Sequence, residues 1–340
     1  MRSLVLTDFG SLAVETRPTP EPGDGEVLLR VVATGICGSD VHGYTGENGR
    51  RSPGQIMGHE SVGRVAATGP NVDAIAVGTL ATFNPVVIPA EQGAAFEGRE
   101  QHCPDKTVIG VAADVPAAFA DYVVVPARNV VELPATMPAH YGALIEPIAV
   151  ALHAVRRALN PDDDRVLVIG GGPIGQSVVV ALQIMNVATI YVSEVDAGRR
   201  ALCQKLGAIV LDPSQAPPAE QLPDGPVPMA VDAVGTTRTI GDALGATELG
   251  GRVVLVGMGS PRLELDAFGV STAERTITGS FTYSMADFRD AARYVGEAPE
   301  PLGHLISDVV DPEGADAAFA RLAHGAPPAG KILVEFSSAS

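Results

Sequence analysis

Cys37-Gly38-Ser39-Asp40-Val41-His42 places a thiol, a hydroxyl and an imidazole within six residues, and Gly58-His59-Glu60 puts a second imidazole 22 residues after Cys37. Glu146, in Ile145-Glu146-Pro147, opens an otherwise apolar stretch, where an unpaired carboxylate would be costly to bury. Cys, His and Glu are the S, N and O donors that Zn²⁺ takes in roughly tetrahedral geometry. Three such ligands leave a fourth position for water or substrate, the catalytic rather than the closed structural pattern.

A second chemistry lies further on. Gly170-Gly171-Gly172-Pro173-Ile174-Gly175 fits G-x-G-x-x-G, follows a strand-like run and opens an apolar helix. Gly170, Gly172 and Gly175 let the backbone approach a pyrophosphate closely. Pro173 and Ile174 begin the helix whose N-terminus would receive that charge. The next strand ends at Glu194, 24 residues after Gly170 and close to the ~20 expected of a ribose-binding acid. A carboxylate there accepts ribose hydroxyls and repels a 2′-phosphate, so the reading is NAD over NADP. Arg199 and Arg200, just beyond, soften that preference.

These groups need two kinds of scaffold. Residues 1–145 carry short Val-, Gly- and Pro-rich runs (Glu26–Ala33, Gly63–Ala67, Gly78–Thr82, Tyr122–Pro126), the texture of an irregular, mostly antiparallel β domain. Tyr141–Leu159 reads as a helix. From Arg165 apolar strands alternate with helices: Arg165–Ile169, Thr189–Ser193, Met229–Val234, Arg252–Gly257 and Thr276–Phe281, with helices to Asn186, over Ala197–Leu206 and over Thr237–Leu249. That alternation predicts an α/β, Rossmann-type doubly wound parallel sheet. A helix near Asp287–Gly296 and a strand at Lys331–Phe336 read as a return to the first domain. The expected division is 1–148, 149–284 and 285–340.

The length, 340 residues, fits about two domains at ~150 each. With 46% hydrophobic and 19% charged residues, a largely disordered chain is excluded. A net charge of −17 makes nucleic acid and anionic membranes poor partners. The apolar stretch Arg165–Ser193 is broken by glycines and proline and is not read as a membrane span. Three widely spaced cysteines make no disulfide framework, and no signal-peptide core is visible, so the expectation is a cytoplasmic protein.

Gly58-His59-Glu60-Ser61-Val62-Gly63, then Gly69 and Val72, resembles the fingerprint G-H-E-x-x-G-x5-G-x-x-V of zinc-dependent medium-chain dehydrogenases/reductases. With Ile36–His42, Glu146-Pro147 and the glycine loop, the resemblance spans essentially the whole chain. It is greatest to the sorbitol/polyol and threonine dehydrogenase branches. It implies a GroES-like catalytic domain and an alcohol or polyol dehydrogenase moving hydride between a secondary alcohol and NAD. It further implies Cys37, His59 and Glu60 as zinc ligands, and Glu146 as a ligand or holder of water. Ser39 would meet the substrate oxygen, and His42 would stand at the outer end of a proton relay. Tyr44 and Tyr283 are candidate walls of the substrate pocket.

Where relatives hold a structural zinc on four cysteines, Pro85–Lys106 retains only Cys103, so one catalytic ion and no structural zinc are expected. Phe281-Thr282-Tyr283 replaces the Phe-Arg-Tyr of sorbitol dehydrogenases, which counts against sorbitol itself. The family habit of pairing edge strands, here near Leu263–Ala267, implies a homodimer or homotetramer. Two rival readings are a zinc-free quinone or enoyl reductase of the same fold, which lacks the ligand set, and a non-enzymatic NAD-binding protein, against which Ser39 and His42 argue.

Overall fold

The computed structural model describes residues 1–47, 49–113, 115–325 and 327–337. The chain divides into two compact units, one from Met1–Glu146 with Ser284–Ser340, the other Pro147–Tyr283.

The first unit is built on a seven-stranded sheet. Its order is Ile306–Val310, Lys331–Glu335, Glu26–Gly35, Glu60–Thr68, Leu80–Phe83 and Val130–Glu132, with Tyr122–Pro126 also pairing to Glu26–Gly35. All pairs are antiparallel except Ile306–Val310 with Lys331–Glu335. Glu26–Gly35 is central, and all of its residues but Glu26 and Arg30 are buried, as a strand covered on both faces requires. Leu4, Leu6, Val27, Leu29, Val31, Phe119 and Phe319 lie in its core.

The second unit carries a six-stranded, all-parallel sheet in the order Ile209–Leu211, Thr189–Ser193, Arg165–Ile169, Val227–Asp232, Thr247–Leu255, Thr276–Gly279. Helices Pro173–Ile184, Ala197–Lys205 and Thr237–Ala246 connect its strands, as right-handed parallel crossovers demand. The apolar stretch Arg165–Ser193 is thus strand, helix and strand. Among the described residues no helix is long and apolar enough to cross a membrane.

Three sequence expectations are corrected. The helix expected over Thr237–Leu249 stops at Ala246, and Thr247 already pairs with Val227. Arg275 explains this, donating to the Thr247 carbonyl (2.7 Å) and hydroxyl (3.0 Å) and drawing that residue into the sheet. Leu263–Ala267 contains no strand. A short helix starts at Ala267, and the sheet ends instead on Thr276–Gly279. The helix expected from Tyr141 is a 3₁₀ segment, Ala139–Leu144, leading into α-helix Ile145–Arg156. Pro147 is tolerated there because the first helical turn needs no amide donor from it.

Candidate functional site

Cys37 closes the central strand's exit and caps the helix Gly38–Thr45 in extended conformation (φ −88°, ψ 154°). Asp40, at the third helical position, answers by accepting the Cys37 N–H on Oδ2 at 3.1 Å. This reciprocal cap starts the helix and fixes the thiol's direction. Gly58 has φ +101°, and a Cβ there would meet the Phe119 amide nitrogen at 2.8 Å, so glycine is required where the chain turns into His59. His59 then precedes Glu60, the first residue of the strand Glu60–Thr68.

The result is a tight cluster. One ligand atom each from Cys37, His59 and Glu60 lies within 4.8 Å of the others. His59 and Glu60 are buried and Cys37 is half-buried. Glu60 Oε2 accepts from Lys331 Nζ at 2.5 Å, while its Oε1 is buried with no hydrogen-bond partner among the described residues. An orphaned carboxylate oxygen beside a thiol and an imidazole suits a cation, because leaving it bare is costly. The donor set therefore fits zinc. Glu146 is buried in the first turn of Ile145–Arg156 and stands outside this three-residue group.

Electrostatics bind the cluster together. Burial alone would push the His59 imidazole down, but the Asp40 carboxylate and then Cys37 hold it well above its ordinary value. Burial would raise Asp40; His59, followed by Arg51, brings it below the usual carboxylate range. Lys331 is pushed down by burial and held up by Glu60, Cys37 and Glu146. Sequence reasoning missed Asp40, Arg51 and Lys331 as supports. The available signal for Lys331 was that a chain with only three lysines spends one at the head of its last apolar strand.

The other candidates fall in varied settings. Ser39 is half-buried on the same helix, and His42 is exposed with Nδ1 3.0 Å from Glu47 Oε2. Tyr44 is buried in the core of its unit, its ring 5.5 Å from that of Phe319 and its hydroxyl donating to the Gly10 carbonyl at 2.7 Å. Tyr283 is fully buried. Thr282, just before it, has φ +52° and a buried hydroxyl with no hydrogen-bond partner among the described residues. In the Pro85–Lys106 segment Cys103 is buried and its thiol donates to Gln92 Oε1 at 3.1 Å.

In the second unit, Gly170 has φ +95°, and a Cβ on Gly175 would collide with the Gly170 carbonyl oxygen. Gly172 caps the helix Pro173–Ile184, whose first amide donors are those of Ile174 and Gly175 because proline has none. Glu194 braces this loop. Its Oε2 accepts from the Gly171 N–H at 2.7 Å and its Oε1 from the Asp196 N–H at 2.8 Å. The Arg199 guanidinium comes within 3.8 Å of where a Cβ on Gly172 would stand. Cys203 packs beneath the loop, its thiol pushed up to about 12 by burial and then by Glu194.

Two family models match this chain: "Alcohol dehydrogenase GroES-like domain" over residues 23–135 and "Zinc-binding dehydrogenase" over residues 173–297. Sorbitol dehydrogenase of Bacillus subtilis (strain 168) is 30% identical over 323 residues, covering 92% of this chain and 87% of that protein. Among solved structures, a zinc-binding dehydrogenase from Sinorhizobium meliloti 1021 bound to NADP superposes with TM-score 0.88 at 29% identity, covering 98% of each chain. An alcohol dehydrogenase from Escherichia coli CFT073 complexed with NADH superposes with TM-score 0.88 at 28% identity, covering 99% of each chain.

Proposed function

The chain belongs to the zinc-dependent medium-chain dehydrogenase/reductase family, and from that premise we propose that it is an NAD-dependent dehydrogenase that oxidises a secondary, polyol-type alcohol to a ketone. The observation that carries the reading is the convergence of Cys37, His59 and Glu60, with one Glu60 oxygen buried and unpartnered. Cys37, His59 and Glu60 would hold one zinc ion per chain, and the lone, hydrogen-bonded Cys103 supports no second ion in its segment. When bound, zinc supplies a Lewis acid that lowers the pKa of an alcohol hydroxyl, and NAD supplies the hydride acceptor.

The chain's own residues do the rest. Ser39 relays the substrate's hydroxyl proton, giving up its own as it takes that one, and His42, exposed beside Glu47, is the outer end of the relay to solvent. Glu146 offers a second route for that proton through water. The amides of Ile174 and Gly175 receive the pyrophosphate, where the helix N-terminus favours negative charge. Glu194 supports NAD over NADP, since its buried carboxylate would face a 2′-phosphate with like charge. Arg199 contributes to nucleotide binding beside Gly172. No arginine stands at Thr282, so the proposed substrate is the class of polyol-type secondary alcohols rather than sorbitol.

Substitution tests this directly. Cys37→Ser and His59→Ala should lose zinc, measured by atomic emission, and NADH production from a panel of polyols and amino alcohols. Both should still bind NADH. Turnover persisting without metal would overturn the proposal.

A further inference from the structure

Asp40 reaches both sides of the candidate metal centre. Its Oδ2 accepts from the Cys37 amide at 3.1 Å, and its Oδ1 lies 3.6 Å from His59 Nδ1. The same Oδ1 is 3.5 Å from Nη2 of Arg51, whose side chain is 1% exposed. Burying a guanidinium carries a desolvation penalty that one long ion pair does not repay as stability, so its charge calls for another explanation.

Pinning the neighbouring loop does not supply one. Arg51 Nη1 donates to the Val111 carbonyl at 3.3 Å, but the neutral Gln55 amide reaches the Val111 and Ala112 carbonyls at 3.4 and 3.2 Å. A neutral side chain thus already does that work. The helix also makes room for the arginine. A Cβ on Gly43 would collide with the Arg51 stem and come within 3.2 Å of Met57 Sδ.

We propose that Arg51 is a positioning residue of the Cys37–His59–Glu60 centre, holding the Asp40 carboxylate so that it orients the His59 imidazole and the Cys37 backbone together. This rests on the zinc reading above. Residues that orient metal-ligating histidines typically matter to metal affinity by about 10–100-fold, and Arg51 acts one step behind such a residue.

The test compares wild type, Arg51→Met, Arg51→Lys and Cys37→Ser as full-length proteins. Zinc affinity is read by chelator competition, the ligand field by the visible spectrum after cobalt(II) substitution, and the second unit by NADH titration. Arg51→Met should weaken zinc at least tenfold and shift the cobalt bands while NADH affinity stays within twofold. Arg51→Lys, which keeps the charge without the planar fork, should fall between. The proposal is overturned if Arg51→Met binds zinc within twofold of wild type with unchanged cobalt bands while Cys37→Ser loses the metal. If Arg51→Met does not fold, Arg51→Lys decides: wild-type affinity and bands overturn the proposal, and a loss in both supports it. Zinc retained by Cys37→Ser overturns the underlying metal reading instead.

Discussion

Lys331 Nζ donates to Glu60 Oε2 at 2.5 Å across 271 residues of sequence, both side chains being buried. Gly35 makes this contact possible. It pairs in register with Glu60 on one side and Leu333 on the other, and a Cβ there would collide with the Glu60 carboxylate. One glycine in the central strand thus leaves space for an ion pair that turns Glu60. One of its oxygens meets lysine while the other stays unpartnered in the cluster.

Removing the lysine should therefore damage more than the metal site. Lys331→Met strands a buried carboxylate, and breaking a buried pair in this way typically costs about 3–5 kcal/mol. Urea denaturation of the zinc-free protein should show a loss of that order, with much of it recovered in the Glu60→Gln/Lys331→Met double variant. A single variant as stable as wild type would mean that the pair carries no such weight.

The pH response should reverse with metal. His59 is held above its ordinary value of about 6.5 by Asp40 and Cys37, against the opposing effect of burial. A raised base contributes stability that is complete below its unfolded pKa and is lost as pH rises through the folded one. Zinc requires an unprotonated imidazole nitrogen, so its affinity rises over the same window. Scanning calorimetry should show the Tm of chelator-stripped protein falling above about pH 6.5, an effect much reduced in His59→Gln. Zinc binding should tighten with pH and release protons. A stripped wild-type Tm that stays flat through that range contradicts the argument.

The parallel half was the more legible in the sequence because its signals are local. Arg165–Ile169 and Thr189–Ser193 are continuous apolar strands, and the glycine loop carries its own punctuation. The end of the helix at Ala246 was not legible, since Arg275, almost thirty residues later, draws Thr247 into the sheet. Cys37 and His59 stood out as thiol and imidazole donors in one part of the chain, and Glu60 as a ligand through the family resemblance. Arg51 and Lys331 did not, because a cation's role depends on which carboxylate the fold brings to it. The packing of Tyr44 was illegible for a related reason: an aromatic residue in a short polar helix gives no sign that Phe319 will close over it.

The nucleotide loop predicts a clean separation of functions. A methyl group on Gly175 would collide with backbone, the Gly170 carbonyl, which no rotamer change relieves. Overpacking of this kind costs about 1–3 kcal/mol, and here it falls on the loop proposed to hold the pyrophosphate. Gly175→Ala should weaken NADH binding at least tenfold (about 1.4 kcal/mol) in fluorescence titrations while zinc content remains at the wild-type value. Loss of zinc together with NADH would point to general misfolding instead.

The second unit's surface supports the proposal that the protein is a homodimer or homotetramer. Phe268 is 81% exposed, Met258 65% and Leu265 46%, all in segments following the strand Thr247–Leu255. The sheet also ends on Thr276–Gly279, whose outer edge lacks a strand partner among the described residues. An open edge and a large exposed phenyl ring are features that soluble proteins usually cover. Burying one phenylalanine is worth about 1.5–3 kcal/mol, and a two-fold interface would bury it on both copies. Phe268→Asp should shift the protein toward monomer in light scattering coupled to size exclusion, leaving zinc content and the far-ultraviolet spectrum unchanged. A wild-type protein that elutes as a monomer at micromolar concentration would remove the basis for this assignment.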